Sequence, residues 1–232
     1  MNILSFDSSV NNVSVCLKLG KKDKIYLSKS GKTNSLNFAA TDTSAVLMPL
    51  VVELIDSQNL TLKDFDILAV GVGPGSFTGV RTGVVTARAL ALASFKPLMG
   101  INTFEAISSI YQKKIAIVLN AYKNFVFIAV YDKFKPVLNP VCVNYSEILE
   151  YLEPNLKTCD LLVLDNTLSL DLNLPLSTQY LDLNSINLAS CQIDVICNNL
   201  NCLELGDLNL KFSYTKIQPL YLKEASVTMK KT

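Results

Sequence analysis

The chain has 232 residues, half of them hydrophobic and 18% charged, with 21 Lys plus Arg against 20 Asp plus Glu and a formal net charge of +1. Such a composition excludes intrinsic disorder and leaves no basic footprint for a stand-alone nucleic-acid binder. Histidine is absent and none of the six cysteines forms a C-x-x-C pair, so the cysteines are expected as reduced, buried thiols and no metal is expected.

Residues 1–7 place Asp7 inside their apolar stretch with no basic leader, so no signal peptide is expected. The most continuous apolar run, 125–131, has the length of a strand and falls far short of the ~20 residues of a membrane helix. A soluble, cytoplasmic protein with no membrane contact is expected.

In chain order, residues 3–7 read as a strand ending in the polar cluster Asp7-Ser8-Ser9. Alternation predicts strands at 13–19 and 24–28 joined by tight turns, an antiparallel meander. Residues 30–38 read as an irregular loop. From Asp42, Val46, Leu47, Leu50, Val51, Leu54 and Ile55 recur at the helical period, with Pro49 confined to an early turn or a kink. A buried strand at 67–72 runs into a glycine-rich turn, followed by a helix at 78–94, a strand at 98–101 and a helix from Thr103 to near Tyr111. The same order then restarts, with strands at 115–119, 125–132 and 137–143, a helix at 146–152, a strand at 161–164, a helix at 186–200 and a closing extended segment at 217–222. Residues 166–183 give no clear pattern.

This order predicts an α/β fold of two ribonuclease-H-like lobes, as in the actin, Hsp70 and sugar-kinase superfamily, with mixed sheets flanked by helices. The lobes are expected at 1–106 and 107–232, the closing segment returning to the first.

The strongest local signal is Gly73-Pro74-Gly75-Ser76-Phe77-Thr78-Gly79-Val80-Arg81-Thr82-Gly83, between a strand and a helix. A loop of this kind can turn backbone N–H groups toward an anion. Its spacing matches neither the dinucleotide fingerprint nor the phosphate loop, however, and no lysine follows. The plainer alternative is that the glycines permit a tight turn and close packing. Gly79, Gly83, Ala87 and Ala91 recur every four residues, a row that lets another surface approach closely, either the chain's own sheet or a partner. Asp7, Ser8 and Ser9 stand where this superfamily holds phosphate or metal, although such residues are also ordinary turn formers.

Taken together these stretches resemble the TsaB (YeaZ) family, paralogues of TsaD. Residues 3–9 look like its opening I-L-x-x-D-T-S, and residues 73–83 closely match its G-P-G-S-F-T-G-[LV]-R-x-G. Residues 44–50, 100–106 and 219–223 resemble, in order, its S-E-x-L-L-P, G-[IV]-x-[ST]-[LF]-E-A and P-x-Y-L-R segments. Departures include Thr43 and Ala45 where the family has His and Glu, and Asn120, Tyr122 and Asn124 in its D-A-R-x-G stretch.

The resemblance implies a non-catalytic subunit that binds and stabilises TsaD, with TsaE as ATPase, in the complex that forms threonylcarbamoyladenosine in tRNA. It implies no cofactor of its own, tRNA contact only through partners, and a homodimer when alone. A partner interface is expected at Val46, Leu50, Gly79, Arg81, Gly83, Ala87 and Ala91. Vestigial phosphate-type loops are expected at Asp7, Ser8, Ser9, Gly73, Gly75, Ser76 and Thr78. Two competing readings are an ATP-dependent phosphotransferase on the same fold and a metalloprotease. The first would need a second glycine loop, but only Gly206 lies beyond Gly100; the second would need H-E-x-x-H.

Overall fold

Two five-stranded mixed sheets alternate with three layers of helix in the computed structural model, which describes residues 1–20, 25–32, 42–168, 176–200 and 213–222. The first sheet contains β1 (Ile3–Asp7), β2 (Asn12–Leu19), β3 (Ile25–Lys32), β4 (Ile67–Gly71) and β5 (Leu98–Ile101) in the order β3-β2-β1-β4-β5. The second contains β6 (Lys114–Asn120), β7 (Phe125–Asp132), β8 (Lys135–Asn144), β9 (Leu161–Asp165) and β10 (Thr178–Leu181) in the order β10-β9-β6-β7-β8. The topology repeats: β1 and β6 each pair antiparallel with the next strand and parallel with a later one. The expected α/β architecture of two such lobes is therefore observed.

The helices are α1 (Asp42–Asp56), α2 (Phe77–Ser94), α3 (Thr103–Tyr111), α4 (Ile148–Leu156) and α5 (Leu188–Leu200). Strand alternation decides which face each covers. Leu4 and Phe6 of β1 join Leu47, Val51 and Leu54 of α1 and Val80, Val84, Ala87 and Ala91 of α2 in one outer core. Ala116 and Val118 of β6 join Ile148, Leu152 and Leu156 of α4 in the opposite outer core. Between the sheets, α3 and α5 share a central core with Ile3, Ile67 and Ala69 of the first sheet and Ile115, Ile117 and Val163 of the second.

The helices exchange sheets in that middle layer. The last helix, α5, packs on β1, β2 and β4, whereas α3 packs on β6, β7 and β8. A division at 106/107 would cut through α3. Residues 213–222 also return to the first lobe, where Leu220 N–H donates to the Val72 carbonyl at 2.8 Å and Ile217 packs on the outer core.

Several elements differ from expectation at their ends. β3 runs on to Lys32 because each residue from 25 to 32 has a partner on β2; the rest of the loop expected at 30–38 lies outside the described residues. The helix expected from 146 starts as a 3-10 turn at Tyr145–Glu147, where Asn144 and Glu147 form a reciprocal cap, and then runs past Pro154 to Leu156. β10 was hidden in the unpatterned stretch. Among the described residues, no helix is long and apolar enough to cross a membrane.

A shared middle layer should make the two lobes unfold as one cooperative unit. Ile193 of α5 is fully buried in it, so Ile193→Ala should cost ~2–5 kcal/mol. Urea unfolding followed by circular dichroism and by tyrosine fluorescence should give one shared transition, shifted in the variant; separate transitions for the two signals would contradict the shared core.

Candidate functional site: two loops closed on each other

The ends of β1 and β4 deliver the two motifs to the same place. Asp7 closes β1 and is fully buried, with Oδ1 accepting hydrogen bonds from Ser9 N–H and Ser9 Oγ–H, both at 2.7 Å. Its Oδ2 accepts from Gln192 Nε2 at 2.7 Å, and Gln192 Oε1 accepts from Ser5 Oγ–H at 2.6 Å. A buried glutamine on α5 thus reaches back 185 positions to hold the first loop. Burial raises the Asp7 carboxyl above its ordinary value, and the three donors pull it partly back.

The glycine-rich turn lies directly on that loop. Gly73 has φ +87°, a conformation that favours glycine, and is followed by a cis peptide to Pro74. Ser76 N–H donates to the Ser9 carbonyl at 2.6 Å, Ser8 Oγ–H to the Gly79 carbonyl at 2.8 Å, and Thr103 Oγ1–H to the Pro74 carbonyl at 2.8 Å. A Cβ on Gly75 would stand 2.2 Å from the Ser9 carbonyl oxygen, and one on Gly79 would stand 1.9 Å from that of Ser8. The glycines therefore let backbone press on backbone. Ser76 caps α2 by accepting from Gly79 N–H, while Thr78 is exposed in its first turn.

Of the two placements left open for the small-residue row, the chain's own sheet is the one observed. Gly79, Gly83, Ala87 and Ala91 are all buried against the chain's own first lobe. A Cβ on Gly83 would meet Ser8 Oγ at 2.6 Å, and Ala87 and Ala91 belong to the outer core with β1 and β4. These four residues are not an outward surface. Val46 and Leu50 are half-buried beside the same core, and only Arg81 of the expected set is exposed.

The two loops border an interlobe cleft of about 650 Å³, lined from the first lobe by residues including Ser9, Gly75 and Thr78 and from the second by Asn120, Tyr122 and Asp165. Among the described residues no lysine or arginine lines it. Asp165 is occupied much as Asp7 is: Oδ1 accepts from Thr167 N–H and Oγ1–H, and Oδ2 from Asn120 N–H. Sequence inspection missed Gln192 and Asp165; the D-x-[ST] spacing shared by Asp7-Ser8-Ser9 and Asp165-Asn166-Thr167 was the available signal for the second. Among the described residues no three or more Cys, Asp or Glu side chains gather as metal ligands. Burial pushes the thiols of Cys16 and Cys191 up to about 12 and about 11, values of inert cysteines.

Outside the cleft, the closing segment is clamped to α2. Arg81 Nε–H donates to Tyr221 Oη at 2.6 Å, its guanidinium lies 3.8 Å over the Phe77 ring, and the Phe77 and Tyr221 rings stand 5.2 Å apart.

Asp7→Ala would leave three buried donors without an acceptor and should cost roughly 3 kcal/mol or more. Asp7→Asn can keep the network if the Gln192 amide turns over, and should stay within about 1 kcal/mol of wild type at neutral pH. Because the folded carboxyl holds its proton more tightly than the unfolded one, its contribution to stability is greatest at low pH. That contribution declines as pH rises from about 3.8 through the raised folded value. Urea midpoints across this range should show the component in wild type and its loss in Asp7→Asn; identical pH profiles would contradict the assignment.

The sequence matches the model of the family "TsaD: tRNA N6-adenosine threonylcarbamoyltransferase" over residues 37–204. It is 32% identical over 104 residues to the tRNA threonylcarbamoyladenosine biosynthesis protein TsaB of Escherichia coli strain K12, covering 44% of this chain and 41% of that protein. Identity to the TsaB of Buchnera aphidicola subsp. Schizaphis graminum is 31% over 125 residues, covering 51% and 55%. These matches span about half the length of the curated relatives or less. A crystal structure described as an uncharacterized protein with similarity to peptidase YEAZ, from Pseudomonas aeruginosa, superimposes with a TM-score of 0.76 at 18% identity over 96% of this chain and 99% of that one, a likeness of fold. With a family model spanning most of its length and TsaB proteins among its relatives, the chain belongs to the TsaD family of tRNA N6-adenosine threonylcarbamoyltransferase proteins, on its TsaB (YeaZ) side.

Proposed function

We propose that this protein is a non-catalytic cytoplasmic subunit that binds and stabilises a TsaD-type threonylcarbamoyltransferase in the complex that forms threonylcarbamoyladenosine in tRNA, with a TsaE-type ATPase as third component. The observation that carries this reading is the closure of its phosphate-type loops. Both oxygens of Asp7 are taken by protein donors, and Gly75 and Gly79 lie against the backbone of Ser8 and Ser9. A phosphoryl-transfer enzyme would need that space and a cation for the phosphates. A net charge of +1 favours tRNA contact through partners rather than directly.

The docking face we propose is the outer side of α1 and α2. Val52 is 48% exposed on α1, and Val85, Leu92 and Phe95 are 66%, 51% and 87% exposed on α2 and at its end. Phe95 is the C-cap at φ 55°, where glycine or asparagine is the usual residue. A large apolar ring in that conformation, turned to solvent, gains nothing within the chain and suits a partner. The same face would support a homodimer when the partner is absent. Arg81, Val46 and Leu50 then lie at its margins, and the small-residue row supports it from below.

Co-expression with a TsaD-type partner separates surface from support. Val85→Asp and Leu92→Asp should leave the melting curve unchanged and abolish co-elution. Ala87→Arg should overpack the helix against its own sheet, costing ~1–3 kcal/mol or more whether or not a partner is present. Retained co-elution in the two aspartate variants would sink the docking face. Independently, the purified chain should show no ATP turnover; turnover that co-elutes with it and is lost in Asp7→Ala would favour the phosphotransferase reading.

A further inference from the structure

A second cavity, of about 430 Å³, shares no lining residue with the interlobe cleft among the described residues. Asn102 and Glu105 reach it from the first turn of α3, Tyr131 from β7, Pro136, Asn139 and Pro140 from β8, and Leu220 from the closing segment. Its polar groups form one connected set. Asn102 Oδ1 caps α3 by accepting from Glu105 N–H at 2.8 Å, and Asn102 Nδ2 stands 3.1 Å from Tyr131 Oη and 3.5 Å from Glu105 Oε2. The Glu105 carboxylate also accepts from the Asn102 backbone and the Asn199 side chain. These donors are all neutral amides, and among the described residues no lysine or arginine pairs with Glu105.

Helix capping accounts for part of this. An acidic or amide residue three positions after an Asn cap is an ordinary helix start. Capping alone would be served by glutamine, and it explains neither the cavity nor the Tyr131 hydroxyl directed to the same asparagine. A half-buried carboxylate with no lysine or arginine beside it among the described residues carries a desolvation cost, and a cation placed beside it recovers part of that cost. The two prolines and Leu220 offer apolar wall for an alkyl stem, while Glu105, Asn102 and Tyr131 offer acceptors at one end.

We propose that this cavity binds a guanidinium-bearing ligand, its planar head on the Glu105 carboxylate and its alkyl stem along Pro136, Pro140 and Leu220. Guanidinium is preferred to ammonium because its flat fork can meet a carboxylate through two hydrogen bonds while further N–H groups reach neighbouring acceptors. The site is independent of the function proposed above.

The test uses n-butylguanidinium and its neutral analogue n-butylurea, titrated into the full-length protein and followed by two-dimensional NMR. Saturable shifts at Asn102, Glu105 and Tyr131 are expected, with a Kd of about 1 mM, and the cation should bind at least tenfold tighter than the urea. Glu105→Gln preserves the cap and should abolish that preference while keeping a folded spectrum. Equal affinity for the two probes in wild type would overturn the proposal whatever the variant does. So would the absence of saturable shifts up to about 10 mM, or an unchanged preference in a folded Glu105→Gln protein.

Discussion

The contact between Gln192 and Asp7 organises the first lobe and its neighbour at once. Asp7 is a carboxylate at the end of a fully buried strand, where water cannot solvate it. It is tolerable there only because Ser9 supplies two donors and Gln192 a third. Gln192 comes from α5, beyond the second sheet in sequence, so satisfying the first loop requires the last helix to return across the first sheet. That return fills the middle layer between the sheets. The same arrangement leaves Ser8 and Ser9 presenting carbonyls outward, onto which the glycines of the second loop close.

Closure of the loops links sequence to function more directly than the glycine pattern does. A glycine-rich turn before a helix can cradle an anion or can accommodate another backbone. The two cases differ only in what occupies the space, and here it is the chain's own Asp7–Ser9 loop. The cleft that remains is bordered by amides, hydroxyls, aromatic rings and the Asp165 carboxylate, without a lysine or arginine among the described residues. On their outer side α1 exposes Val52 and α2 exposes Val85 and Leu92, and α2 ends in an exposed phenylalanine at a left-handed cap.

Much of the fold was legible because its signals are local. β1 reads as a short strand that ends in the polar cluster Asp7-Ser8-Ser9, and α1 reads as a helix from its 3.6-residue period. The repeat of element order gave the two lobes. What was not legible depends on distant chain. The four-residue spacing of Gly79, Gly83, Ala87 and Ala91 marks a helix side but does not say whether a sheet or a partner lies against it; Ser8 and Val70 decide that, and Ser8 lies 71 positions from Gly79. Gln192 looks like one polar residue among Leu188, Ala189, Ile193 and Ile196, and only its contact with Asp7 gives it a role. β10 escaped notice because three of its four residues face solvent, so no apolar alternation marks it.

The central claim is that the outer side of α1 and α2 is what this protein contributes to a TsaD-type complex. Hydrogen–deuterium exchange of the chain with and without such a partner tests it most directly. The account predicts slowed exchange across residues 46–56 and 85–96 on complex formation, with α4 and β10 unchanged. Slowing confined to the second lobe, with α1 and α2 exchanging as in the free chain, would contradict it.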